Sequence, residues 1–171
     1  MIRSHLEYAQ TVWSPYKQKH IEALESLQRR ATKIMPCMKK LSYSDRLKKL
    51  ALPTLSYRRL RGDIIETYKI VHGMYDVTAS PALEFQNYVT NRGHQFKLYK
   101  KSCHTNTRLH YFTNRIVNTW NSLPDEIVNA PSISSLKNRL DKFWQTQDMV
   151  YNYKANTAAG TRILDTFYVN R

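Results

Sequence analysis

"PTLSYRRLRGDIIETYKIVHG", residues 53–73, is the stretch on which the fold turns. Tyr57, Leu60, Ile64, Tyr68 and Val71 recur every three or four residues and mark one apolar face of a helix. Arg58, Arg61 and Lys69 fall together on another face. Pro53 has no amide donor and restarts the chain, while Gly73 suits the left-handed position that closes a helix. Gly62 in the interior costs about 1 kcal/mol against alanine, a cost that close backbone packing would offset. One amphipathic helix cannot bury its own face, so the neighbouring sequence must supply cover.

It does so on both sides. Leu6, Ala9 and Trp13 predict a first helix ending near Trp13, with an apolar face exposed at the very start of the chain. Ser14-Pro15 then gives a start signal for a second helix, on which Ile21, Leu24, Leu27, Ala31 and Ile34 line one face. Pro36 stops it. Ser42 with Asp45 three residues later resembles a capping box and opens a short helix through Leu50. Downstream, residues 74–90 read as a loop. "HQFKLYKK" (94–101) alternates at period two and, with "TRLHYF" (107–112), suggests a short β-hairpin near 94–112. Ile116, Val117, Trp120 and Leu123 predict a helix stopped by Pro124. Pro131-Ser132 starts a last one with Ile133, Leu136, Leu140, Phe143 and Trp144 inward. The pattern dissolves after Gln147, and 148–171 reads as a loose tail. The expected fold class is mainly α, a helical bundle with that short hairpin.

The 171 residues suffice for one domain with a real core, 42% of them hydrophobic. No apolar run approaches the ~20 residues needed to span a bilayer, and no signal-peptide pattern opens the chain. The expectation is an intracellular protein, nuclear if functional, with no membrane partner. Cys37 and Cys103 form no motif and read as reduced thiols.

Charge carries the strongest bulk signal, a net +14. Residues 1–71 hold 15 Lys and Arg against 6 Asp and Glu; residues 91–115 hold 6 against none; the rest is nearly neutral. Excess charge gathered in two stretches points to a polyanion, RNA or DNA, ahead of a bland basic surface or an acidic membrane. The candidate phosphate contacts are Arg29, Arg30 and Lys33 on one helix and Arg58, Arg61 and Lys69 on another. Lys97, Lys100 and Lys101 would add the hairpin edge. Tyr57, Phe96 and Tyr99 are candidates for stacking on unpaired bases, with core packing the alternative for each.

Other chemistries find little support. The chain has no adjacent aspartate pair and no Asp-x-Asp to hold two metal ions, and its four glycines make no phosphate loop. His94, Cys103, His104 and His110 fall within 17 residues, but their spacing matches no zinc module and the stretch around them is cationic. No catalytic residue, metal or cofactor is therefore assigned.

Four stretches in series resemble a known family. "LEYAQTVWSPY" (6–16), "LESLQRRATKIMP" (24–36), "LSYSDRLKKLALPTLSYRRLRGDIIETYKIVHG" (41–73) and "FTNRIVNTWNSLPDEIVNAPSISSLKNRLDKFW" (112–144) are similar to the C-terminal region of non-LTR retrotransposon reverse transcriptases of the jockey and chicken-repeat type. The resemblance covers about residues 2–144 and leaves out the tail. It implies a thumb-end and post-thumb helical segment over 1–73 and a variable loop over 74–90. A hairpin with C-terminal helices would follow over 91–147. It also implies that fingers, palm and the Tyr-x-Asp-Asp motif belong upstream, so the face around Leu6, Ala9 and Trp13 would meet thumb helices. No residue here corresponds to the catalytic aspartates. The two distant cysteines cannot form the three-cysteine knuckle of some relatives. Two readings follow. One is a noncatalytic polymerase fragment holding template RNA or target DNA. The other is a co-opted helical module that binds a protein partner through its uncovered apolar surface.

Overall fold

The computed structural model describes residues 2–76, 78, 80–87 and 93–155. Eight α-helices follow one another among them: α1 (Ile2–Glu7), α2 (Gln18–Lys33), α3 (Tyr43–Lys49), α4 (Leu55–Val71), α5 (Asn106–Leu109), α6 (Phe112–Asn121), α7 (Asp125–Val128) and α8 (Ile133–Trp144). Short 3-10 turns lie at Pro36–Met38 and Asp148–Val150. The protein is mainly α, as its periodicity predicts.

The 53–73 stretch is the axis of the fold. α4 packs against α6, α8 and α2. Its predicted face is the core: Ile64 and Tyr68 are fully buried, Tyr57 nearly so, and Leu60 and Val71 pack at the margin. Thr54 caps the helix, accepting the Tyr57 amide at 3.2 Å. At the other end Gly73 takes φ +64°. Gly73 N donates to Ile70 O and Met74 N to Lys69 O, the paired bonds of a Schellman stop. What approaches Gly62 is the Gln10 side chain rather than a neighbouring backbone.

The opposite wall is built from α6, α7 and α8. Trp120, Ile116 and Val117 on α6 and Leu136, Leu140 and Trp144 on α8 are wholly or almost wholly buried. Pro124 ends α6, and the short α7 after it adds Ile127 and Val128 to the core. Ser132 caps α8 by accepting the Ser135 amide, and Ser42 caps α3 in a reciprocal pair with Asp45.

Four local expectations need correction. The first helix stops at Glu7, because the chain leaves helical geometry at Ala9 (φ +49°). Arg115 then holds the turn that follows by the carbonyls of Gln10 and Thr11. α2 begins at Gln18 with no side-chain cap, not at Ser14-Pro15. Tyr16 is instead stacked on His110, ring centroids 4.3 Å apart and planes 5° from parallel.

The hairpin over 94–112 does not form: Leu98 bridges back to Phe85, and residues 106–109 are helical. Asn121 explains this. Its side-chain amide accepts from Leu98 N and donates to Leu98 O, filling the place of a second strand.

Within the expected tail, residues 148–155 are packed. Met149 is buried, the carbonyls of Met149 and Val150 accept from Thr54, and Tyr153 meets α2. Residues 156–171 of that tail, like part of the 74–90 loop, lie outside the described residues.

Candidate nucleic-acid interface

The nine candidate phosphate contacts divide by what already holds them. On α2, Arg30 and Lys33 are exposed, and no carboxylate among the described residues pairs with them. Arg29 beside them is exposed too. Its guanidinium lies 5.2 Å from the Tyr43 ring and 5.8 Å from the Tyr153 ring, and it donates to the Tyr153 hydroxyl at 3.0 Å. Stacked and held on one edge, Arg29 still presents charge outward.

On α4 the three predicted cations are engaged by the chain's own carboxylates. Arg58 pairs with Glu7 of α1. Arg61 grips Asp141 of α8 with two bonds, 2.6 and 2.7 Å, and that hydrogen bonding raises its pKa. Lys69 donates to the Tyr75 hydroxyl at 3.1 Å and to Glu66 at 3.2 Å; the bond to Tyr75 is the first cause of its raised pKa. Arg58 and Arg61 join helices and Lys69 ties α4 to Tyr75 just beyond it, so the face they share offers less net charge than the sequence suggests.

Tyr57 belongs to the same knot. It packs edge-on against Trp144 and donates to Asp141 at 3.2 Å. Burial first, and the Asp141 charge second, push its phenol up to about 12. It is a core residue and not a stacking platform. Phe96 is half-buried against His72 and Phe85. Of the three aromatic candidates only Tyr99 stands in solvent, 54% exposed.

The acid-free stretch 91–115 builds something more specific. Lys97 is half-buried, with its stem over Gly93. Lys100 reaches Asn118 Oδ1 at 3.3 Å, and Lys101 pairs with Glu84 at 2.6 Å, both exposed. Tyr99 and Lys101 line a cleft of about 580 Å³ between residues 81–84, residues 98–101 and the start of α6. Arg108, Tyr111, Asn114, Thr105, Thr107 and Thr113 also line it. Neither Arg108 nor Tyr111 is among the sequence candidates. Both sit in "TRLHYF", where an expected strand obscured that the chain turns and brings them back toward Tyr99.

A largely buried ion pair ties α6, whose start lines the cleft, to α4. Arg115 of α6 donates two bonds of 2.9 Å to Asp63 of α4. It also reaches His110 O, Gln10 O and Thr11 O, tying four segments together. Asn114 donates to Cys103 Sγ and to Arg108 O, which sets the turn that carries Arg108.

The four possible zinc ligands do not converge. His94 is buried with Nε2 3.0 Å from Trp120 O, and burial lowers its pKa. His110 is stacked on Tyr16, Cys103 is bonded to Asn114, and His104 is exposed. Among the described residues no three His, Cys, Asp or Glu side chains gather around a common point, and no helix is long and apolar enough to cross a membrane.

No family model, no curated protein and no solved structure matches this chain.

Proposed function

We propose that this chain is a noncatalytic C-terminal part of a retroelement RNA-directed DNA polymerase that binds the backbone of RNA or DNA. The observation that carries the reading is the exposed cationic row of α2, Arg29, Arg30 and Lys33, which no carboxylate among the described residues pairs, on a chain of net charge +14. The order of the four resembling stretches supports it, and the family's catalytic aspartates would lie in domains that partner this one. Backbone contacts of this kind hold a strand without reading its sequence.

The test is a salt titration of binding to a short single strand and to an RNA–DNA duplex. Affinity should fall steeply with salt. Replacing Arg30 and Lys33 by Gln should reduce the slope of log K against log salt by roughly 0.7–0.9 for each phosphate-bound cation removed. Replacing Lys137 and Lys142, exposed on the nearly neutral C-terminal part, should change it little. Binding that ignores salt would overturn the reading, and template-dependent incorporation of nucleotides by the purified chain would overturn its noncatalytic part.

A second reading, a helical module that docks a protein partner, is favoured by one feature. The apolar stripe of α2 is only partly covered, with Leu27 41% exposed and Ile34 at the helix end 76% exposed.

A further inference from the structure

The cleft beside α6 differs from the rest of the basic surface. On α2 the exposed cations stand on an open helix face, and on α4 they are engaged by carboxylates. Here two tyrosine rings and two cations line one concavity. Tyr99 and Tyr111 are each 54% exposed, and neither ring has an aromatic or cationic neighbour among the described residues. The tyrosines of α4 are spent differently: Tyr57 and Tyr68 are buried and give their hydroxyls to Asp141 and Ala130 O.

The backbone that carries the two exposed rings is held in place. Tyr99 N donates to Glu84 O at 2.7 Å, and the adjacent Leu98 is clamped on both backbone groups by Asn121. The Tyr111 carbonyl accepts the Asn114 and Arg115 amides that open α6. With the backbone already fixed, stacking has only the side-chain rotation of each ring left to order.

We propose that this cleft takes an unpaired nucleotide of a single strand, its base against Tyr99 and Tyr111 and its phosphates on Lys101 and Arg108. The inference rests on the backbone-binding reading and adds a site for the base. The volume of about 580 Å³ falls within the range of ligand pockets, roughly 300–1,000 Å³. Aromatic faces accept any base, and threonine, three of which line the cleft, carries a hydroxyl that both donates and accepts, so the site tolerates sequence.

Glu84 is the one acidic residue on the wall, and it opposes an anion. Its partner Lys101 can turn to a phosphate, because both side chains are about half exposed and an ion pair so placed is weak. Glu84 therefore competes with the strand for Lys101. Removing its charge should tighten binding.

The experiment uses the full chain and four probes of equal length: oligo(U), oligo(dT), an abasic strand carrying the same phosphates, and a blunt RNA–DNA duplex. The wild type should bind oligo(U) or oligo(dT) about tenfold more tightly than the abasic strand, the weight of one stacked base. The ratio of the first two tells RNA from DNA. Tyr99→Ala and Tyr111→Ala should each bring the single-strand affinity toward the abasic level, while Tyr99→Phe and Tyr111→Phe keep it. Glu84→Gln should raise it. Circular dichroism checks that each variant folds, which the exposure of both rings favours.

Equal binding to the abasic strand and to oligo(U), or alanine variants that keep the preference, would overturn the cleft while leaving the backbone reading intact. Salt-sensitive binding to none of the four probes would overturn both.

Discussion

On α8 the residues that repeat at helical spacing, Leu136, Leu140 and Trp144, are wholly buried. On α2 no member of the equivalent series is fully buried: Ile21, Leu24 and Ala31 are partly covered, Leu27 is 41% exposed, and Ile34 at the helix end is 76% exposed. What α2 buries is polar: Glu25, Gln28 and Thr32, on a face roughly a quarter of a turn or more away. One helix is placed by hydrophobic burial. The other is placed by hydrogen bonds that its neighbours require.

The requirement is visible at the start of α4. A helix leaves its first amides without partners inside the helix. Ser56 N is one of them, and Glu25 of α2 accepts it at 3.0 Å. Glu25 also accepts the Tyr43 hydroxyl of α3 at 2.7 Å. A carboxylate at a helix N-terminus is favoured by the helix dipole as well as by the bond. Next to it Gln28 donates to Pro53 O, and Thr32 accepts from Arg46 of α3. Rotating α2 to bury Ile34 would pull Glu25 from its site and leave buried groups unpaired. Arg59, buried in the same region, adds to the demand: burial pulls its pKa down while the Glu25, Asp63 and Glu7 charges push it up.

The largest effect should come from the hydrophobic side. Trp144→Ala removes a fully buried ring from the centre of the core and should cost about 3–5 kcal/mol of stability, measured by urea unfolding. Trp144→Phe should cost much less, because the indole N–H has no hydrogen-bond partner among the described residues. If the two substitutions cost the same, the bundle is not centred on this ring.

The next effect tests the polar side. Glu25→Ala leaves the Ser56 amide and the Tyr43 hydroxyl without their acceptor and should cost about 3 kcal/mol. Glu25→Gln, which can still accept, should cost less. Hydrogen exchange at the first turn of α4 should quicken more than exchange in α8. A uniform change across the molecule would mean that Glu25 supports the fold in general and not this junction.

The same contrast marks what could be read without coordinates. Helices placed by burial were legible: the apolar faces of α4, α6 and α8, the stops at Pro36 and Pro124, and the caps at Ser42 and Gly73 all follow from local chemistry. Features placed by distant polar groups were not. Nothing near Glu25 announces that it serves α4, and nothing near Leu98 announces that Asn121 replaces a strand. The same holds for charge. The sequence locates Arg58, Arg61 and Lys69 but not Glu7, Asp141 and Glu66 beside them, since two of those three carboxylates come from other helices. Lys101 and Tyr99 were legible as members of a basic stretch. The cleft that joins them to Arg108 and Tyr111 was hidden by the expected hairpin.

The smallest effect belongs to the partly covered stripe of α2. Leu27→Gln and Ile34→Gln change side chains that already meet solvent, so each should move stability by no more than about 0.5 kcal/mol. Their consequence should appear in association instead. Leu27, Ile34 and Met35 are exposed on one helix and the turn after it, and Tyr8 and Val12 are exposed in the N-terminal segment. Exposed apolar groups of this size favour contact between copies as protein concentration rises. The wild type should therefore sediment as a concentration-dependent mixture, and the double Gln variant should be closer to a monomer with an unchanged melting transition. Salt distinguishes the surfaces: association through this stripe should persist at high salt, while strand binding through Arg30 and Lys33 on the same helix should fade. If the double variant loses several kcal/mol, Leu27 and Ile34 are core residues after all, and α2 and α8 are placed by the same force. If it folds normally and associates as before, the stripe is inert, and the reading of this chain as a protein-docking module loses the observation that favours it.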